Sequence, residues 1–467
     1  MKHSGMPVTE FIRSGADRED FYEEYLAELR KANERYNLFI TLAQDPKSEA
    51  KKAGGKLRGL PVPVKDNICT KGLQTTAGSR ILEGYIPPFD ATVVSRLKEQ
   101  GAVVIGKTAM DEFGFGSFSH YCAYGTPKNP HDPERSCGGS SGGSAGVIAA
   151  LNYPQIALGQ STGGSISAPA SFCGVVGLTP TYGRVSRYGL IDFGNSLDKI
   201  GTLTRTVGDA AIGLSAIAGH DPMDQTTVPQ KAEDYTKHLK GSVKGLKIGV
   251  PKEYFAEGVD EDVKKEVWGS IKLLESHGAT YEEISLPLTN RGISAYYLIA
   301  TPEASTNLAK FCGMRYGASE SVEGAFNDYF SRVRGRYFGP EAKRRILLGT
   351  YARMAGYRDQ YYLKAMKVRT LLIEELRKAF RKADVLLAPT MATIAPKLKE
   401  IEEMTPLQTY MADVLTVVPN LTGIPMLSVP CGSSKGMPVG LHIMGDYLQE
   451  GRILQAGHAF EKLRGKT

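Results

Sequence analysis

The chain has 467 residues, 42% of them hydrophobic, and a formal net charge of +7. That is enough apolar side chain to bury a large core, and length alone allows about three domains as a soft prior. The positive balance is compatible with a nucleic-acid partner, but its residues are spread along the chain as on a solvated surface.

No run approaches the ~18 apolar residues of a membrane span. The six cysteines form no CxxC pair and no zinc spacing, and 52 Gly and 25 Pro follow no collagen-like period. A loop-rich α/β enzyme fits this composition. The N-terminal MKHSGMPVTEFIRSGADRED is too acidic for a transit peptide and lacks an apolar core, so reduced thiols and a cytoplasmic location are expected.

In chain order, Phe21, Tyr25 and Leu29 at i, i+4 spacing predict a helix over 9–34. Leu60 to Val64 reads as a short apolar strand that delivers Lys65, Asp66 and Asn67 at its end. Asp90 or Thr92 is placed to cap a helix through Gln100, and Ala102 to Ile105 reads as a buried strand. Strand, helix, strand in that order suggests a right-handed parallel unit. Further on, Thr206 to Ala218 reads as a helix and Leu246 to Val250 as a strand. Val263, Val267, Ile271 and Leu274 stripe another helix, closed by Gly278 before the strand-like 281–284. From about 290 to 382 the chain is helix-rich, with Val368, Leu372, Leu376 and Phe380 on one stripe. Asp384 to Ala388, Met426 to Val429 and Gly440 to Met444 read as buried strands. The alternation predicts an α/β fold with a mixed, mainly parallel central sheet covered by helices on both faces. One domain spanning 1–467 is expected.

Residues 101–108, GAVVIGKT, match the phosphate-loop string G-x-x-x-x-G-K-[ST]. The middle is β-branched and apolar, so the string itself reads as a strand, with Gly101 closing the preceding helix and Lys107 leaving the strand end. The following AMDEFGFG has aromatic and glycine breaks where a phosphate loop needs a helix. Nucleotide binding is not expected there.

The stretch 137–183 holds two glycine-serine knots, Gly138-Gly139-Ser140-Ser141-Gly142-Gly143-Ser144 and Thr162-Gly163-Gly164-Ser165. An apolar helical run, Ala145 to Leu151, and a strand-like run, Gln155 to Gly159, lie between them, which a flexible linker would not need. Glycines this dense let the backbone approach a ligand closely. Free N–H groups at such turns suit an oxygen that becomes anionic in a transition state. A serine hydroxyl becomes a nucleophile once a base takes its proton. No histidine lies between His131 and His220, although one could fold in from a distance. Lys65, at the end of an apolar strand, is a candidate base if a dry site lowers its pKa toward ~7–8. Cys137, beside the first knot, is a candidate reactive thiol.

PVPVKDN around Lys65, the run GGSSGGS, and STGGSISAPASFCGVVGLTPTYGRVS together resemble the amidase signature family, in the family's order and near its spacings. The resemblance covers nearly the whole chain. It implies Ser165 as nucleophile, Ser140 as a bridging serine held by a cis peptide, and Lys65 as base. The N–H groups of Thr162, Gly163, Gly164 and Ser165 would form an oxyanion hole. Ser161 and Ser167 stand where most of the family carries Asp and Arg.

The segments 183–201, 295–317, 343–352 and 410–432 resemble the tRNA-dependent amidotransferase branch of that family. This resemblance implies a glutaminase subunit that passes ammonia to partner subunits B and C. There ATP and magnesium would activate glutamate esterified to tRNA, converting Glu-tRNA(Gln) to Gln-tRNA(Gln). It implies no cofactor and no metal in this chain, and no membrane. By motif position Asp413 would pair the glutamine ammonium, Arg345 its carboxylate, and Tyr296 would give a hydrogen bond. The adjacent Arg344 and Tyr297 are open alternatives for two of these. A stand-alone amidase acting on another small amide is the alternative function. A non-catalytic nucleotide- or RNA-binding scaffold is disfavoured by Lys65, Ser140 and Ser165 all being present.

Overall fold

The computed structural model describes residues 3–14 and 18–465. Among them, eleven strands form one sheet. They are β1 (Phe39–Leu42), β2 (Pro61–Lys65), β3 (Val103–Thr108), β4 (Ala157–Ser161), β5 (Val176–Thr179) and β6 (Lys199–Thr204). The rest are β7 (Lys247–Pro251), β8 (Thr280–Ile284), β9 (Val385–Pro389), β10 (Met426–Ser434) and β11 (Met437–Gly445). Across the sheet they run β1-β3-β2-β4-β6-β5-β10-β11-β9-β7-β8.

The sheet is mixed, as expected, but it is not mainly parallel. β1/β3, β4/β6, β5/β6, β5/β10, β10/β11 and β9/β11 pair antiparallel, against four parallel pairs: β2/β3, β2/β4, β7/β8 and β7/β9. One cause is local. Lys435 and Gly436, both at positive φ (49° and 78°), turn β10 straight back into β11, as a two-residue hairpin loop requires.

Helices cover both faces, and two glycines show it. A side chain at Gly440 of β11 would strike Ser171 on the helix Ser167–Cys173 and Ser428 of β10. Gly457 of the helix Glu450–Arg464 abuts Leu427 and Val429, which alternate with Ser428 and so face the other way. The stripe Val263, Val267, Ile271, Leu274 is buried in the helix Glu261–Ser276 as its spacing predicts.

The first predicted helix is divided into Val8–Arg13 and Arg18–Tyr36, and positions 15–17 of its span lie outside the described residues. β2, the helix Thr92–Glu99 and β3 make the expected parallel unit. Neither Asp90 nor Thr92 caps that helix, whose N-cap is Ala91. Asp90 is held instead by the Lys71 N–H and the Lys98 ammonium, and the Thr92 hydroxyl donates to Asp221. VVIGKT of the phosphate-loop string is strand β3, followed by a single 3-10 turn, Glu112–Gly114. Lys107 lies inside the strand rather than beyond its end.

β2, β3 and β4 run the same way side by side. Lys65, Thr108 and Ser161 are their last residues, so the segments that follow them gather at one edge of the sheet. Carboxyl ends of parallel strands are where α/β folds place ligands.

Candidate active site

Apolar β2 buries Lys65 completely. Its Nζ lies 2.7 Å from Ser140 Oγ, 2.8 Å from the Gln160 carbonyl oxygen and 3.1 Å from Gln160 Oε1. Burial pulls its pKa down to about 7, against the opposing pull of Asp111 and Asp198. A substantial share of the amine is therefore unprotonated near neutral pH, as a base requires. Ser140 follows a cis peptide bond from Gly139, as the sequence resemblance implied. A side chain at Gly139 would sit 2.2 Å from Asp111 Oδ2 and 2.6 Å from the Phe118 nitrogen, so only glycine lets this loop close.

The two knots meet. The Ser141 N–H donates to the Ser165 carbonyl at 3.3 Å, and the Ser141 hydroxyl to the Gln160 carbonyl at 3.2 Å. Ser165 is 7% exposed, whereas Ser140 is sealed. Among the described residues the Ser165 hydroxyl has no hydrogen-bond partner, so the bond to Ser140 is not formed in this state; such contacts often tighten only around substrate. The N–H groups of Thr162, Gly163, Gly164 and Ser165 make no hydrogen bond to the rest of the described chain. The loop leaves no room for larger residues: a Cβ on Gly163 would lie 2.7 Å from the Tyr296 ring, and one on Gly164 2.1 Å from Thr416 Oγ1.

Three polar residues that sequence reasoning did not single out tie this centre together. Gln160 Nε2 donates to Thr162 Oγ1 (2.7 Å) and to Asp198 Oδ1 (2.9 Å). Asp198 also accepts from the N–H groups of Phe193 and Gly194, and burial raises its pKa to about 7. Asp111 accepts from the N–H groups of Ser119 and Tyr121, and its own N–H donates to the Ser140 carbonyl. Only Gln160 carried a signal, its place two residues before a knot.

Tyr296, Arg345 and Asp413 come from three separate segments and are all buried. Tyr296, on the helix Gly292–Asn307, packs on the second glycine-serine knot at Gly163. Asp413 Oδ2 accepts from the Ser117 hydroxyl at 2.8 Å, while the Ser117 carbonyl accepts from the Gly139 N–H at 2.7 Å. One serine thus connects Asp413 to the first knot. Burial raises the Asp413 pKa to about 6, opposed by that hydrogen bond and by Arg345. Arg345 sits among the rings of Phe115, Phe193, Tyr297 and Tyr410, with centroids 5.1–5.5 Å from its guanidinium carbon. Its Nε donates to Glu341 Oε1 at 2.8 Å. Arg344 is 39% exposed on the outer side of the same helix, Pro340–Arg353, so the buried arginine is Arg345. Tyr297 stacks on Tyr410 at 4.2 Å and flanks the guanidinium; Tyr296 alone of the two abuts Gly163.

A family model described as Amidase matches residues 20–454. The chain belongs to the amidase family. Among its relatives, the A subunit of the Glutamyl-tRNA(Gln) amidotransferase of Halothermothrix orenii is 48% identical over 95% of this chain and 93% of its own length. The protein of the same name from Methanococcoides burtonii is 52% identical over 88% of this chain and 86% of its own. A crystal structure of the same A subunit from Thermotoga maritima superposes with a TM-score of 0.84 at 39% identity, covering 98% and 94% of the two chains.

Ser161 and Ser167, where the sequence resemblance expects Asp and Arg, are both buried. The Ser161 hydroxyl donates to Asn420 Oδ1 at 3.1 Å; the Ser167 hydroxyl has no partner among the described residues. Hydroxyls here leave no charge stranded in the interior. Cys137, the candidate reactive thiol, is fully buried, and burial, with Cys173 beside it, pushes its pKa well up, away from the thiolate that reactivity needs. Among the described residues no cluster of three or more His, Cys, Asp or Glu is placed to hold a metal ion, and no helix is long and apolar enough to cross a membrane.

Proposed function

We propose that the chain is the glutaminase subunit of a tRNA-dependent amidotransferase. The observation that carries the chemistry is the Lys65 Nζ to Ser140 Oγ contact of 2.7 Å, in the knot whose Ser141 N–H is bonded to the Ser165 carbonyl. The curated relatives named above support the choice of reaction.

Ser165 Oγ attacks the side-chain carboxamide carbon of glutamine while its proton passes to Ser140 and the Ser140 proton passes to neutral Lys65. The carbonyl oxygen becomes an oxyanion facing the free N–H groups of Thr162 to Ser165, each such donor being worth ~2.7–4 kcal/mol to a transition state. When the C–N bond breaks, the proton returns through Ser140 to the departing nitrogen, which leaves as ammonia. Water then cleaves the glutamyl ester on Ser165 by the same route, releasing glutamate.

Asp413 binds the substrate ammonium and Arg345 its carboxylate, a pairing suited to a guanidinium. Tyr296 supplies a hydrogen bond from the wall beside the oxyanion turn. The ammonia goes to partner subunits B and C, where ATP and magnesium activate the tRNA-borne glutamate. The chain itself carries no cofactor and works as one domain, a reading supported by the single sheet. A cytoplasmic setting fits its free cysteines, five of them buried.

The test is to reconstitute the complex with Ser165→Ala and measure Gln-tRNA(Gln) formation with glutamine or with ammonium salt. Glutamine should fail and ammonium should work at the parent rate. Loss of both in an intact complex would contradict the proposed division of labour.

A further inference from the structure

The three oxygens around Lys65 Nζ are not equivalent. Two are carbonyl oxygens of one residue, Gln160, at 2.8 and 3.1 Å, and the third is the Ser140 hydroxyl at 2.7 Å. An ammonium donates to all three. A neutral amine has only two hydrogens and one lone pair. Carbonyl oxygens only accept, whereas the Ser140 hydroxyl also donates. Both amine hydrogens therefore go to Gln160, and the lone pair is left facing the Ser140 O–H.

The Gln160 amide is itself locked. Its Oε1 accepts from Asn67 Nδ2 at 3.1 Å as well as from Lys65. Its Nε2 donates to Thr162 Oγ1 and Asp198 Oδ1, and the Thr162 hydroxyl donates to that same carboxylate oxygen at 2.7 Å. Turning the amide over would set N–H against N–H at Lys65 and Asn67, and oxygen against the Asp198 carboxylate. With Asn67 and Asp198 as placed, this orientation keeps both ends of the Gln160 amide hydrogen-bonded.

We infer that Gln160 is a positioning residue: it holds both hydrogens of the neutral Lys65 amine, aims the lone pair at Ser140, and ties the base to the Thr162 end of the oxyanion turn. This rests on the reading of Lys65 as base. The carboxylates acting on Lys65 are Asp111, from the turn after β3, and Asp198, just before β6. Both are engaged by backbone N–H groups. Asp66, next in sequence, turns its carboxylate to Thr76 and Gly78. A carboxamide at position 160 thus adds a second acceptor without adding a further negative charge that would keep the proton on the amine.

The test uses Gln160→Glu and Gln160→Ala in the full chain within its complex. Two rates are followed against pH: glutamine hydrolysis, and covalent labelling of Ser165 by an aryl sulfonyl fluoride, located by mass spectrometry. Gln160→Glu, of the same shape, should move the midpoint of both profiles upward by about one to three pH units, with activity recovered at high pH. Gln160→Ala should lower kcat and labelling by ~10- to 100-fold with KM for glutamine unchanged. Partial misfolding lowers the labelled fraction without moving a midpoint. A Gln160→Glu profile with the parent midpoint, or a Gln160→Ala protein labelled at the parent rate, would overturn the inference. A parent labelled at Ser165 but inert to glutamine would defeat the glutaminase reading alone, and the labelling profiles would still decide the role of Gln160. A parent not labelled at Ser165 would defeat the base assignment and this inference with it.

Discussion

Lys65 and Lys107 lie on neighbouring parallel strands, Val64 pairing with Lys107 and Lys65 with Thr108, and both are fully buried. Being one register step apart, they point to opposite faces of the sheet. Burial lowers both, to about 7 for Lys65 and about 8 for Lys107. Their surroundings differ. Lys107 donates to the Ile68 carbonyl and to the hydroxyls of Thr70 and Thr75, fastening the loop after β2 to β3. Lys65 faces the Ser140 hydroxyl, in the knot whose Ser141 N–H reaches the Ser165 carbonyl. A depressed pKa follows from burial for either lysine; what separates a base from a strut is the group at the end of the side chain.

Exchanging each lysine for an apolar residue should separate the two roles. Lys65→Ala should cut glutamine turnover by ~10⁴-fold or more while the chain remains folded. Lys107→Met should leave kcat of the folded fraction near the parent value and lower the melting temperature, because the Ile68 carbonyl and the Thr70 and Thr75 hydroxyls lose the ammonium that joins them, a loss of ~1–3 kcal/mol in all. Steady-state kinetics and calorimetry on both variants check this. A Lys107→Met protein that folds fully yet is inactive would erase the distinction.

The next largest effect belongs to the substrate end of the site. Arg345→Ala and Asp413→Ala should raise KM for glutamine, since removing one partner of a buried charge pair costs ~3–5 kcal/mol. Arg344→Ala, on the exposed side of the helix, should leave KM unchanged. If Arg344→Ala raised KM and Arg345→Ala did not, the two arginines would have to be exchanged in the account.

Gly164→Ala tests the oxyanion turn without touching a polar side chain. The added methyl would overlap Thr416 Oγ1, at 2.1 Å, and overpacking of this kind costs ~1–3 kcal/mol. Displacement of the turn should lower kcat more than stability, as read by activity and thermal melting on one preparation.

The smallest effect is in pH. Glutamine hydrolysis should rise as pH passes upward through about 7, where Lys65 loses its proton, and KM should worsen below about 6 as Asp413 gains one. Stability carries a related signature. Both lysines bind fewer protons folded than unfolded between about 7–8 and the unperturbed ~10.4, so stability should rise with pH across that window. Lys65→Met should remove the Lys65 share of that slope, measured by denaturant unfolding.

Much of this was legible in the sequence, for local reasons. PVPVK is an apolar run ending in a charge, and the two knots are dense enough in glycine to mark close backbone approach, so Lys65, Ser140 and Ser165 stood out. β1, β5 and β6 did not, because FITL, VGLT and KIGTLT are short or interrupted by glycine. The antiparallel bias was hidden in Lys435-Gly436, a weaker hairpin signal than Asn-Gly. Asp90 and Thr92 looked like caps because their residue types suit caps, and were drawn off by Lys98 and Asp221 from elsewhere in the fold. Gln160, Asp198 and Asp111 are ordinary polar residues in sequence. Their roles come from strand register and from buried contacts up to 95 residues apart, which spacing does not encode.

The most direct measurement is the titration of Lys65 itself, by the ¹³Cε chemical shift of labelled lysine, with the signal assigned through Lys65→Met. The midpoint should lie near 7 and move upward in Gln160→Glu. A Lys65 signal that titrates near ~10.4, the value of a lysine in water, would contradict it.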